Sequence, residues 1–342
     1  SAQPATPFIR PSSPEGQRAA PSTGGPSPFA RSQGGSPPPV RLDQVQRSRE
    51  TRIEAGGRRT VVQENNRFII RQDNRVFVRH DEADRFRRLQ NARTVSISGG
   101  GSQTFHTRPD GFRVITETDR NGGLVRRYRR GPDGREFNII DNRRFWRNAA
   151  IGVGVGAVTA AIILNLRRPV VTIPRHAYIV DYARASDDDL YETLNAPPVE
   201  NLDRAYSLEE VRYNLPLRER MRSIDLDDIT FGSGDIDVSP DQHRKLERLA
   251  RVIERVLRSN PDEVFLIEGH TDAVGDDVDN LSLSDRRAQS VAQILSEEFG
   301  VPPENLVTQG YGEQFLKIDS REPERLNRRV TVRRVTPLLG DQ

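Results

Sequence analysis

The sequence predicts an α+β protein: a basic antiparallel β-hairpin meander followed by a two-layer β-α-β-α-β-β module. Three observations carry this. Hairpin turn signals recur at Asp110-Gly111, Asn121-Gly122 and Asp133-Gly134, between short runs such as Leu124-Val-Arg-Arg-Tyr. Further on, Leu246, Leu249, Ala250, Ile253, Val256 and Leu257 recur at helical spacing beside the apolar run Val264–Ile267. Charge also divides the chain: residues 41–148 hold 25 Arg against 14 Asp/Glu, net +11, and residues 224–342 hold 15 Lys/Arg against 24 Asp/Glu, net −9. That asymmetry predicts separate modules.

Composition bounds the rest. Hydrophobic residues are 34% and charged residues 30%, against roughly 45–50% and 25% in a typical globular chain, so part of the 342 residues is expected to stay outside a core. The absence of cysteine excludes a disulfide scaffold, a thiolate metal site, a catalytic thiol and a lipid-anchored N-terminal cysteine. The chain starts at Ser1, which suggests a removed secretion signal.

Taken in order, residues 1–50 read as a disordered tether, because residues 1–40 hold ten Pro, seven Ser and five Gly. Residues 51–148 form the Arg-rich hairpin region. Residues 149–168 read as an apolar, Gly-rich helix. Its run over residues 149–166 would be about 27 Å long, short of a ~30 Å hydrocarbon core. A membrane-associated helix and a self-associating helix both fit, the latter because Gly152, Gly156 and Ala160 form a small-residue stripe. Residues 169–223 are a connecting segment with short helices, where Ser186-Asp187-Asp188-Asp189 suits a helix N-terminus rather than calcium.

In the acidic module, residues 224–337, Ile229–Phe231 is a candidate strand and Ser239-Pro240 opens the first helix. Val264–Ile267 follows as a buried strand. A polar loop spans Gly269–Asn280, a second helix begins near Ser284, and Leu306–Thr308 and Val330–Val332 complete the strands. The order places both helices on one face of a small mixed sheet.

Gly269-His270-Thr271-Asp272, Asn280-Leu-Ser-Leu-Ser-Asp-Arg-Arg287-Ala288, Gly310-Tyr311-Gly312 and Asn327-Arg328-Arg329-Val330 follow one another in this module. The series resembles the OmpA-like C-terminal domain, the peptidoglycan-binding module of bacterial envelopes, over about residues 225–337. The Arg-rich chain before it resembles alphaproteobacterial envelope proteins that end in such a domain. One departure is Gln314-Phe315-Leu316, where the family usually has a proline.

The resemblance implies that the ligand is the diaminopimelate of the stem peptide, whose free end is a zwitterion. Asp272 would face its ammonium and Arg287 its carboxylate, with a bidentate fork. Thr271 and Asn280 would shape the loop or add hydrogen bonds, and Arg329 would line the same cleft. Arg286 is expected on the surface, His270 as a structural histidine, and Asp276, Asp277 and Asp279 as a solvated loop.

The expected protein is a non-enzymatic envelope protein, periplasmic or associated with the outer membrane in preference to the inner one. It would bind peptidoglycan and tether the wall to that membrane or to an envelope partner. The alternative is an inner-membrane, stator-like or scaffold protein using the same domain. No cofactor or metal is expected: Glu268 and Asp272 flank a tight turn without a nucleophile motif, and the Gly152–Gly156 repeat lies outside any βαβ unit. The basic region 41–148 is expected to contact anionic lipid or lipopolysaccharide rather than a specific nucleic acid. Residues 149–166 are expected to support homo-oligomers.

Overall fold

The computed structural model describes residues 41–72, 75–149, 164–232 and 234–339. The tether up to residue 40 and residues 150–163 of the apolar run, with the membrane and self-association expectations attached to it, lie outside the described residues. No helix among the described residues is long and apolar enough to cross a membrane. Residues 164–168 are irregular rather than helical. There Leu164 and Leu166 rest on a buried cluster and the Leu164 amide donates to Asn214 Oδ1 at 2.8 Å.

The Arg-rich region forms two antiparallel sheets. The first joins β1 (Glu50–Glu54), β2 (Arg59–Glu64), β3 (Arg67–Gln72) and β4 (Arg75–His80) in sequence order. The second joins β5 (Arg93–Ser96), β6 (Ser102–Thr107), β7 (Arg113–Thr118), β8 (Leu124–Arg130) and β9 (Glu136–Asp141) likewise. The hairpins β6–β7, β7–β8 and β8–β9 close at the three turn signals read from the sequence.

The third sheet is mixed, ordered β10 (Ile179–Asp181), β11 (Ser223–Asp225), β14 (Val330–Arg334), β12 (Phe265–Gly269) and β13 (Leu306–Gly310). The first strand of the acidic module is therefore β11, not Ile229–Phe231. Residues 229–231 are irregular, and the Gln242 side chain supplies a strand partner's bonds, accepting from the Thr230 amide at 2.7 Å and donating to its carbonyl at 2.8 Å. The helices His243–Ser259 and Asp277–Glu297 cover one face, burying Leu249, Ile253, Ala288, Val291 and Leu295 against Phe265, Ile267, Val330 and Val332. Each fully buried aliphatic side chain contributes roughly 1.5–3 kcal/mol.

The other face is also covered. Leu266 and Val307 pack against Tyr206, Leu208, Val211, Leu217 and Met221 of the connecting segment and Ile139 and Ile140 of β9. That segment contributes β10 and the helix Asp187–Asn195. Ser186 caps this helix, accepting from the Asp189 amide, and Arg248 and Arg255 of the first long helix pair with Asp187 and Asp188 at 2.7 and 2.6 Å.

The opposite charges of the two halves meet. Arg67 and Arg71 of β3 bind Asp285 and Asp277, Arg49 binds Asp279, Arg129 binds Asp262, and Arg108 binds Glu304. Val62, Ile69 and Val78 cluster with Leu281 between these pairs. The charge asymmetry is thus complementarity within one folded body, contrary to the separate modules expected. Asp277 and Asp279 are ion-pair partners in the second helix rather than parts of a solvated loop. Arg286 is not a surface residue: its side chain is only 11% exposed and pairs with Glu64 at 3.3 Å. Burial, with Arg67 nearby, lowers its pKa to about 10.

Candidate functional site

The site lies where β12 ends. The loop after it is short, residues 270–276, because the second helix begins at Asp277, seven residues before the expected start. Asp276 caps it, accepting from the Val278 amide at 2.9 Å. The helix can rest directly on the strand ends because Gly269 and Gly310 lack side chains. A Cβ on Gly269 would sit 2.0 Å from the Ser284 carbonyl oxygen, and one on Gly310 would sit 2.3 Å from the Asp285 amide nitrogen. Ser284 Oγ accepts from the Gly312 amide at 2.9 Å, and Asp285 Oδ1 from the Gly310 amide at 3.1 Å. These bonds fix the helical turn that carries Arg287.

Arg287 is buried, 4% exposed. Its Nε donates to the Asp235 carbonyl at 3.0 Å and its Nη2 to the Gly232 carbonyl at 3.1 Å. The guanidinium also lies over the Phe231 ring, 4.6 Å from the centroid. Burial, then repulsion from Arg328, lowers its pKa to about 10, against attraction from Asp235 and Asp272; it stays a cation at neutral pH. Asp272, 7% exposed, accepts from the amides of Val274 at 3.4 Å and Glu324 at 3.3 Å, and pairs with Arg328 Nη1 at 2.6 Å. No hydrogen bond or ion pair joins Asp272 to Arg287. An anion and a cation therefore lie within electrostatic reach of one another, each held by other groups. That arrangement can receive a small zwitterion.

Asn280 stands in the first turn of the helix. Its Nδ2 donates to Glu313 Oε2 at 2.7 Å and to the Val274 carbonyl at 3.2 Å, closing the loop onto the Gly312 turn. Thr271 pairs its amide with the Gly312 carbonyl at 3.0 Å, and its buried hydroxyl has no partner among the described residues.

Arg329 is not brought together with Asp272. It donates to the Phe315 carbonyl at 3.1 Å and lines a separate cavity of about 600 Å3 with Asp225, Glu268, His270 and Lys317. The arginine at Asp272 is Arg328, to which the sequence assigned no ligand contact. Strand alternation could have found it: Arg329 shares a face with Thr331 and Arg333, and Arg328 falls on the other.

Glu268 is tied to Arg333 at 2.7 Å. Its pKa stays well below the usual range, although burial alone would raise it, because Arg333 and Arg218 attract the carboxylate. It is not half of an acid/base pair with Asp272. Burial, with Arg329 nearby, lowers the pKa of His270 to about 4, and the neutral ring stacks on Tyr311 at 5.6 Å. Where the family's proline would stand, Phe315 packs edge-on to Tyr311 at 5.3 Å and Gln314 donates to the Val76 carbonyl of β4 at 2.7 Å. That wall is built against the basic sheet. Among the described residues, no group of three His, Cys, Asp or Glu is placed to hold a metal ion.

The profile of the OmpA family matches residues 230–329. Outer membrane porin F of Pseudomonas aeruginosa is 33% identical over 105 residues, which are 30% of this chain and 29% of that protein. The outer-membrane lipoprotein YfiB of the same organism is 37% identical over 106 residues, 30% of this chain and 60% of the lipoprotein. The chain thus spans less than two thirds of either relative. Among solved structures, the peptidoglycan-associated lipoprotein from Burkholderia pseudomallei aligns with 34% of this chain and 92% of its own at 24% identity, with a TM-score of 0.28. These matches lend no support to the alphaproteobacterial origin expected from the Arg-rich region. Residues 230–329 are an OmpA family domain, set within a longer chain whose other sheets pack against it.

Proposed function

We propose that this protein is a non-catalytic component of the bacterial cell envelope that binds peptidoglycan through Asp272 and Arg287. The observation that carries the reading is that pair: two buried, opposite charges of an OmpA family domain, within electrostatic reach but unpaired with each other. Asp272 receives the ammonium of the diaminopimelate end and Arg287 its carboxylate, while Asn280 and Thr271 hold the loop in shape. The names of the similar proteins, an outer membrane porin and an outer-membrane lipoprotein, support placing the chain at the outer membrane side of the wall. There it would tether the wall to that membrane or to an envelope partner. The experiment is sedimentation of the full chain with purified sacculi. Retention that Asp272→Asn reduces several-fold supports the reading. Equal retention of a folded Asp272→Asn variant removes Asp272 from the site, and no retention of either protein removes the function.

A further inference from the structure

Residues 41–49 link the Gly234–Ile236 segment to the start of the second helix. At one end, Arg41 bridges Asp235 in antiparallel fashion, its Nη1 lies 2.9 Å from Asp235 Oδ1, and the Leu42 amide donates to the Gly234 carbonyl at 3.1 Å. In the middle, Leu42 and Val45 of the short helix Leu42–Gln46 lodge against Ile236 and Leu283. At the other end, Gln46 donates to Asp279 Oδ2 at 2.9 Å and Arg49 pairs with Asp279 Oδ1 at 2.6 Å. The sequence placed these residues in a disordered tether; the apolar pair Leu42 and Val45 is what anchors them.

The Gly232–Asp235 turn is the same turn whose two carbonyls hold Arg287. Gly234 has φ +73°, a conformation glycine takes up without strain, so the backbone just before Asp235 has little intrinsic preference for the shape that grips the guanidinium. Its hold within the described residues comes from the Asp235-to-Gly232 amide bond at 3.1 Å, from Arg287 itself, and from Arg41 and Leu42. We infer that residues 41–49 are a strap that positions Arg287, with Arg41 and Leu42 as positioning residues acting through the Gly232–Asp235 turn. The inference rests on the peptidoglycan reading and deepens it: capture of the ligand carboxylate depends on a segment far upstream of the OmpA family domain.

The test is a double-mutant cycle in the full chain, read as the affinity for a soluble muropeptide bearing free meso-diaminopimelate. Arg41→Ala is expected to weaken binding about three- to ten-fold, a coupling of roughly 0.6–1.4 kcal/mol. Arg47→Ala, which alters an exposed neighbour paired with Asp43 among the described residues, is expected to leave affinity unchanged. In an Arg287→Lys background the Arg41→Ala effect is expected to disappear, and Arg41→Ala is also expected to narrow discrimination between free and amidated diaminopimelate. Thermal melting confirms that each variant is folded. An equal loss in both backgrounds, or no loss from Arg41→Ala while the parent chain binds, overturns the strap. Failure of the parent chain to bind overturns the peptidoglycan reading and the strap with it.

Discussion

Arg328 Nη1 lies 2.6 Å from Asp272 Oδ2, so the carboxylate that would receive a ligand ammonium already holds a cation. The pair is open to water at its arginine end, where 42% of the Arg328 side chain is exposed against 10% of the Asp272 side chain. Fully exposed ion pairs contribute about 0.2–1 kcal/mol, and the exposed Arg328 end of this one leaves its guanidinium able to withdraw into water as an ammonium arrives. Arg328→Gln removes the internal competitor and is expected to tighten muropeptide binding about two- to five-fold by calorimetry, in keeping with that magnitude. Weaker binding would show instead that Arg328 contacts the ligand.

Arg287 serves the protein as well as the proposed ligand. Truncation to alanine removes the guanidinium bonds to the Gly232 and Asp235 carbonyls, each worth about 1.5–3 kcal/mol net for a charged donor. Arg287→Ala is therefore expected to lower the melting temperature and the affinity together. Arg287→Lys keeps the charge but not the fork, and is expected to lower mainly the affinity, with little preference left between free and amidated diaminopimelate. A lysine variant that binds like the parent would show that bidentate contact is not used.

Much of the acidic module was legible because its signals are local. The helix stripe from Leu246 to Val256 and the apolar run at Val264–Ile267 depend on spacing alone, whereas Asp272 and Arg287 were singled out by the resemblance of their motifs to a known family. The placement of Arg286, Asp277 and Asp279 was not legible in this way. Each looks like a solvated helix or loop charge until Arg49, Glu64, Arg67 and Arg71 arrive from more than 200 residues upstream. Net charge suggested two modules because a sum over residues cannot distinguish repulsion from complementarity. The first strand was misplaced for a similar reason: Ile229–Phe231 has the better composition, but Ser223–Asp225 is the stretch that meets both β14 and β10.

The covered second face of the mixed sheet bears on truncation. A fragment starting at residue 224 lacks Ser223 of β11 and leaves Leu266 and Val307 without Leu208, Val211 and Leu217. Such a fragment is expected to be less stable than one starting at residue 169, and to bind a hydrophobic dye that the longer fragment does not. Equal denaturant midpoints for the two would show that the connecting segment adds nothing to the domain.

The contact between the basic sheets and the OmpA family domain should also depend on pH, through His80. Its Nδ1 lies 3.1 Å from Asp285 Oδ1 and its Nε2 lies 3.2 Å from Glu82 Oε1. Burial alone would lower the His80 pKa; the two carboxylates outweigh it and raise the value to about 9. Arg67 shares Asp285, while Arg127 and Arg212 share Glu82. In the unfolded chain the imidazole returns to roughly 6.5. A pKa raised on folding gives stability that is complete below about 6.5 and is lost as pH rises through about 9. Asp285 and Glu82 carry the opposite sign: both are held below their ordinary range, so their contribution is lost in acid. The melting temperature is therefore expected to fall between pH 6.5 and pH 9. His80→Gln should melt lower at pH 6.5 and change less across that window, because its side chain has no proton to lose. A parent and a His80→Gln variant with parallel pH profiles would place the titration elsewhere and remove His80 as its source.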